Sequence, residues 1–198
     1  VYKRQPLFAR IPDIRPDDFA VLELSSFQLH SMHCAPDVAI ITNISPNHLD
    51  VHPDFEDYVS AKCSIYRGQR PDGVLVLNAR DAHTPRFAAE APGSVRYFSS
   101  VGPVENGVYC SDGVIYRAHG GEAEKLIDVS DIRIPGAHNV ENYMAAFAAT
   151  DGLVGQAACV QVARSFAGVP HRMERIRELN GITFINDSIA SSPTRTIA

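Results

Sequence analysis

The chain has 198 residues, 45% hydrophobic and 21% charged, with a formal net charge of −5. This composition suits one globular domain of usual size plus part of another, and its acidic balance gives no basic footprint for nucleic acid or an anionic membrane. No apolar run approaches the roughly 18–20 residues of a bilayer span, and the opening residues do not read as a signal peptide.

Val1–Gln5 fits no element and reads as a non-native scar, while the chain stops at Ala198 where a helix is only beginning, so the expectation is a fragment. Phe19–Leu24 (FAVLEL) and Val38–Ile44 (VAIITNI) are nearly continuous apolar runs, as expected of parallel strands covered on both faces. Ser25–Cys34 between them reads as a short helix. A further helix is expected over Phe55–Tyr66, with Asp54 as N-cap and Glu56 and Asp57 favouring its positive end. Val74–Asn78 and Val95–Ser99 read as buried strands flanking a helix at Asp81–Ala91. The β-α-β-α alternation predicts an α/β fold with a mostly parallel, doubly wound sheet.

From about Val104 the pattern changes. Glu105-Asn106-Gly107, Ser111-Asp112-Gly113 and Gly120-Gly121 punctuate short alternating runs, which predicts a small antiparallel β subdomain. Helices return at Asn139–Asp151 and Gln156–Phe166, Gly168-Val169-Pro170 reads as a hinge, and Asn180-Gly181 joins Met173–Leu179 to Ile182–Asn186 as a hairpin. The four cysteines (Cys34, Cys63, Cys110, Cys159) form no Cys-x-x-Cys pair and read as reduced, buried thiols of a cytoplasmic protein.

Two side chains are hard to place as structure alone. At about 100° per residue Phe55, Val59, Lys62 and Tyr66 share one stripe, which puts Lys62 at the centre of an inward face. A buried, unpaired ammonium costs several kcal/mol, on the order of a lost ion pair, so Lys62 must snorkel out, pair or be chemically altered. Lys3, Lys62 and Lys125 are the only lysines. Glu23 lies near the C-terminal end of the first predicted strand and His48 just past the second, where open α/β sheets bind ligands. Glu23 either wants a cation or is solvated on an edge strand. Zinc would need converging ligands, and His48 and His52 are separated from a regular helix by Pro46 and Pro53; a carboxylate with one imidazole better suits Mg²⁺ shared with phosphates.

Six ordered blocks resemble the Mur ligases: Leu22–Leu29 (LELSSFQL), Thr42–Asp50 (TNISPNHLD), Ala61-Lys62, Gly136–Asn142 (GAHNVEN), Pro170–Glu174 (PHRME) and Asn186-Asp187-Ser188. The resemblance implies a P-loop-type central domain over 6–168, N-terminally incomplete, and the start of a Rossmann-like C-terminal domain over 169–198. It also implies an ATP-dependent, amide-forming ligase of peptidoglycan precursor synthesis, working as a cytoplasmic monomer through an acyl phosphate. Ser-Ser-Phe-Gln resembles the branch that joins D-glutamate to UDP-N-acetylmuramoyl-L-alanine; a sister ligase or a folylpolyglutamate synthase is the alternative, and a metal-dependent hydrolase or a non-catalytic homologue the rival of another class. Glu23, His48 and Lys62 would serve two Mg²⁺ ions, with Lys62 carrying a CO₂-derived carbamate. Asn139 and Asn142 would read adenine, although Asn139 would equally suit a helix cap. Arg172 would reach phosphate and Asp187 ribose, each otherwise a surface ion-pair member, and Ser25, Gln28, Ser188 and Ser191 would face substrate. Two departures stand out. The chain has no Gly-Lys pair and so no phosphate loop, and Ile189 stands where many relatives have lysine, leaving Arg195 as the candidate for that charge.

Overall fold

A computed structural model describes residues 8–45 and 52–189, and the contacts divide the chain into two units. The first comprises residues up to Leu75 together with Asp81–Val95. After a 3-10 turn at Phe8–Asp13 come helix α1 (Ser26–Ser31), strand β1 (Val38–Ile41), helix α2 (Phe55–Arg67), the start of β2 (Val74–Asn78) and helix α3 (Thr84–Glu90). Asp54 caps α2 as its sequence predicts, accepting from the Asp57 amide at 2.8 Å. The helix ends at Gly68, where a Cβ would lie 2.3 Å from the Cys34 carbonyl oxygen, so only glycine lets the two backbones approach. Val59, Cys63, Tyr66, Leu75 and Phe87 are almost fully excluded from water and form this unit's core. Tyr66 donates to Glu90 at 2.9 Å, tying α2 to α3.

The second unit holds the rest of β2, most of β3 (Ser94–Ser99), then β4 (Gly107–Ser111), β5 (Val114–His119), β6 (Glu122–Asp128), α4 (Ala137–Thr150), α5 (Gln156–Ser165), β7 (Glu174–Leu179) and β8 (Ile182–Asn186). Its core is built on Phe98, Val108, Ile115, Met144 and Ala148. Asp112-Gly113 and Gly120-Gly121 take positive φ at both turn positions, which matches the twist of the strands they join. Asn180-Gly181 does the same in the β7–β8 hairpin. Arg96 donates to the Ala148 and Asp151 carbonyls, both at 2.9 Å, closing the C-terminal end of α4 with a cation where the helix dipole favours one.

The strands are ordered β1-β2-β3-β4-β5-β6 in one mostly parallel sheet; β3 and β4 pair in parallel, β4–β5 and β5–β6 antiparallel, and β7–β8 forms a separate two-stranded sheet. The α/β class thus stands.

One expectation is corrected and one is refined. Phe19–Leu24 forms no strand: Phe19 and Val21 are 73% and 79% exposed, and no ladder is assigned to the segment among the described residues. An apolar run becomes a strand only when a neighbour accepts its backbone bonds. Lys62 lies where the helical wheel puts it, with Tyr58, Val59, Cys63 and Tyr66 buried around it, but it is itself only half-buried, as is Phe55 at the start of the stripe.

Candidate functional site

In the first unit the local sequence around Glu23 is organised by α1. Ser25 is its N-cap, and the Gln28 side chain returns the bond to the Ser25 amide at 2.9 Å, a reciprocal capping box. Ser25 and Gln28 therefore brace each other directly beyond Glu23, which is exposed. Lys62 projects from α2 with its ammonium 5.2 Å from the centre of the Tyr58 ring. Burial lowers the pKa of Lys62, and the negative charge of Glu23 opposes that shift. Glu23 and Lys62, predicted as partners, are thus within electrostatic reach of each other. His48 lies outside the described residues.

The contact between α1 and α2 runs through a side-chain cluster centred on His52, which is 5% exposed. Its Nδ1 meets Asp57 Oδ2 at 2.7 Å and its Nε2 meets Ser26 Oγ at 3.0 Å. The ring stacks on Phe27 and meets Tyr58 edge-on, with centroids at 5.6 and 5.4 Å. His30 Nε2 reaches the other Asp57 oxygen at 3.2 Å. The hydrogen bond from His52 is the largest influence holding the Asp57 carboxyl below its usual range, with His30 adding to it. Ser26, His52 and Asp57 have the connectivity of a hydrolytic triad, but Ser26 is 3% exposed, which leaves no space for an acyl group on its oxygen. Sequence reasoning raised His52 as a doubtful zinc partner of His48 and Asp57 as a charge at the start of α2, and did not join either to Ser26 or His30. The only local signal was Ser26 and His30 on one face of a short helix.

In the second unit Asn139 and Asn142 both lie in the first turns of α4. Asn139 donates from Nδ2 to the Pro135 carbonyl at 2.6 Å, bracing the loop before a helix whose N-cap is Gly136 at φ 105°. Asn142 is exposed. Arg172 and Asp187 are brought together: the Met173 amide donates to Asp187 Oδ1 at 3.1 Å, and the exposed Arg172 is the preceding residue. The loop is pinned further by His171, whose amide donates to Glu174 Oε2 at 2.8 Å and whose ring meets Asn186 Nδ2 at 2.9 Å. His171 and Met173 have φ of 67° and 45°, a conformation that costs non-glycine residues of order 1–3 kcal/mol and that functional loops often hold. Ser188 donates its amide to Asn186 Oδ1 at 3.1 Å, and Ile189 is 48% exposed. Ser191 and Arg195 lie outside the described residues.

An open, mostly parallel sheet is an architecture common among nucleotide-handling α/β domains. Residues 7–150 match the Mur ligase middle domain, and the chain belongs to that family. Among curated relatives it is 51% identical over 193 residues to the UDP-N-acetylmuramoylalanine–D-glutamate ligase of Acetivibrio thermocellus, and 48% identical to the ligase of the same name from Clostridium botulinum. Each alignment covers 98% of this chain and 41% of the relative, so the chain spans about two-fifths of the length of these proteins. Among solved structures, MurF from Acinetobacter baumannii superposes with a TM-score of 0.64 at 24% identity, over 87% of this chain and 38% of that one. MurC from Thermotoga maritima gives 0.57 at 23%, over 86% and 38%. At these identities the structures speak for the fold. No helix among the described residues is long and apolar enough to cross a membrane.

Proposed function

We propose that this chain is the central part of an ATP-dependent ligase that joins D-glutamate to UDP-N-acetylmuramoyl-L-alanine. Residues 6–168 would form most of its nucleotide domain and 169–198 the start of its C-terminal domain. The observation that carries the reading is the coupling of Glu23 to the half-buried Lys62, in a chain half identical to ligases of that name. A lysine whose pKa is lowered by burial has more neutral amine near physiological pH. That amine can attack CO₂, forming an N–C bond and releasing one proton, which converts a poorly solvated cation into an anionic oxygen donor. Glu23 and a carbamate on Lys62 fit hard divalent cations, and with His48 would hold two Mg²⁺ ions; the ions would supply neutralisation of phosphate charge.

The chain's own groups would do the rest by positioning. Asn139 and Asn142 offer the paired donor and acceptor that an adenine edge requires. Arg172 and Asp187, on the two segments that flank the β7–β8 hairpin and are tied by the Met173 amide, suit a phosphate oxygen and a ribose hydroxyl. Ser25, Gln28, Ser188, Ser191 and Arg195 would face the acid and amine substrates, which would meet in the order phosphorylation of the carboxylate, attack by the D-glutamate amine, and loss of phosphate. Catalysis of this kind rests on orientation and charge placement rather than on a covalent enzyme intermediate.

The test is phosphate release by the complete protein containing this chain, with ATP, Mg²⁺, UDP-N-acetylmuramoyl-L-alanine and a panel of amino acids. Release that requires D-glutamate is the expected result, with none from the 198-residue chain alone. Release with a different amino acid would move the reading to a sister ligase, and hydrolysis without ATP would replace it.

A further inference from the structure

We propose that His30, His52 and Asp57 form a transition-metal site, selective for Zn²⁺ over Mg²⁺, that clamps α1 to α2. One donor atom from each of the three lies within 4.8 Å of the others, and they come from separate segments: the last turn of α1, the loop before α2 and the first turn of α2. Tetrahedral zinc with bonds of about 2.0–2.1 Å places its ligands roughly 3.3 Å apart. The observed separations to the two Asp57 oxygens are 3.2 Å from His30, close to that spacing, and 2.7 Å from His52, shorter than it, so the His52 pair would open slightly to admit the ion.

His52 is prepared for the task. Phe27 and Tyr58 hold its ring, and Ser26 Oγ at 3.0 Å can accept a hydrogen bond from Nε2–H. On metal binding the single ring proton of the neutral imidazole would move from Nδ1 to Nε2, with no net loss, which frees the Nδ1 lone pair for the ion while a hydrogen-bond acceptor on the far ring nitrogen orients the ring. The two remaining donors are reachable from water: the side chains of His30 and Asp57 are 55% and 30% exposed, which leaves an entry path and a place for a water as fourth ligand. Two imidazoles and one carboxylate favour a borderline ion over a hard one. The donor set shares no residue with Glu23, His48 or Lys62, so the proposal stands apart from the ligase reading and its test does not use activity.

The experiment is calorimetric titration of the untagged full chain with Zn²⁺ in about 5 mM Mg²⁺, an excess chosen to saturate hard oxygen sites, with Co²⁺ absorption as a second readout. Expected are one equivalent of Zn²⁺ bound and a Co²⁺ spectrum of low coordination number. His30→Ala and Asp57→Asn, at an exposed and a partly exposed position, should each weaken binding at least about tenfold, while His119→Ala leaves it unchanged. Absence of stoichiometric binding at about 100 μM Zn²⁺, far above the range of built zinc sites, overturns the proposal. So does an affinity that His30→Ala and Asp57→Asn leave intact, because the metal is then held elsewhere.

Discussion

The contact between Ser26 and His52 makes a measurable claim about how α1 is held. Ser26 is 3% and His52 5% exposed, and Oγ and Nε2 are 3.0 Å apart. Replacing His52 by phenylalanine keeps an aromatic ring against Phe27 and Tyr58 but deletes both nitrogens. The serine hydroxyl is then left in a dry site without a partner, a penalty of about 1–3 kcal/mol. Asp57 loses one bond as well, but it is partly exposed and still meets His30, so water and that imidazole absorb most of the change. The expected cost of His52→Phe is therefore about 2–3 kcal/mol.

Ser26→Ala alone leaves a buried ring nitrogen unpaired and should cost about 1–2 kcal/mol. The double variant removes both halves of the contact, so its cost should fall short of the sum by about 1–2 kcal/mol. For a chain of this length each 1 kcal/mol corresponds to roughly 2–4 °C in Tm. Urea unfolding followed by far-ultraviolet circular dichroism on the four proteins gives the cycle directly. Costs that add to within about 0.5 kcal/mol would show that the two groups are neighbours without a shared bond, and would refute this account of α1.

Three further outcomes follow from named contacts. Gly107→Ala should abolish the β3–β4 pairing, at more than about 3 kcal/mol, because a Cβ there would lie 1.9 Å from the Tyr97 carbonyl oxygen at a φ of 133°; loss of tyrosine near-ultraviolet dichroism and a collapsed thermal midpoint are the readouts. Asp57 is held below its reference value of 3.8 first by the hydrogen bond from His52. Its contribution is complete above pH 3.8 and disappears as pH falls through the lower folded value, so Asp57→Asn should flatten the acid limb of stability against pH in a urea series. Lys62 is lowered by burial, so the folded state binds fewer protons than the unfolded one below 10.5 and stability rises with pH from the folded value up to that point. Lys62→Met should remove this rise and increase stability at neutral pH while abolishing ligase turnover in the complete protein; an unchanged alkaline limb in the same urea series would contradict the burial of the amine.

Elements whose signals are local were legible from the sequence. The helix of α2 followed from Asp54 and the acidic first turn, β2 matched its predicted ends residue for residue, and Asn180-Gly181 announced the β7–β8 turn. Elements that depend on a distant partner were not. FAVLEL has the composition of a buried strand, yet strand formation is a property of a pair, and the described residues give it no ladder. The direction of Lys62 was legible from the helical wheel, but its half-buried state was not, because a wheel gives direction and not depth. The His52 cluster had almost no local signature, since its members come from α1, a loop and α2, joined by bonds that span as many as 27 positions.

That last failure bears on how the acid and the lysine come to be neighbours. If sheet pairing held the segment carrying Glu23, the strand end would set the position of the carboxylate, as strand ends do in open α/β sheets. Here the segment has no strand pairing among the described residues, and the first ordered structure after Glu23 is the capping box of Ser25 and Gln28. From there Ser26 passes the constraint to His52, His52 to Asp57 in the first turn of α2, and the same helix carries Lys62 one turn beyond Tyr58. A buried imidazole thus joins the helix that follows the carboxylate to the helix that carries the amine. Loosening that imidazole should separate the two charges without altering either side chain, and the pKa of Lys62 would fall further as Glu23 withdraws, because burial would then act unopposed.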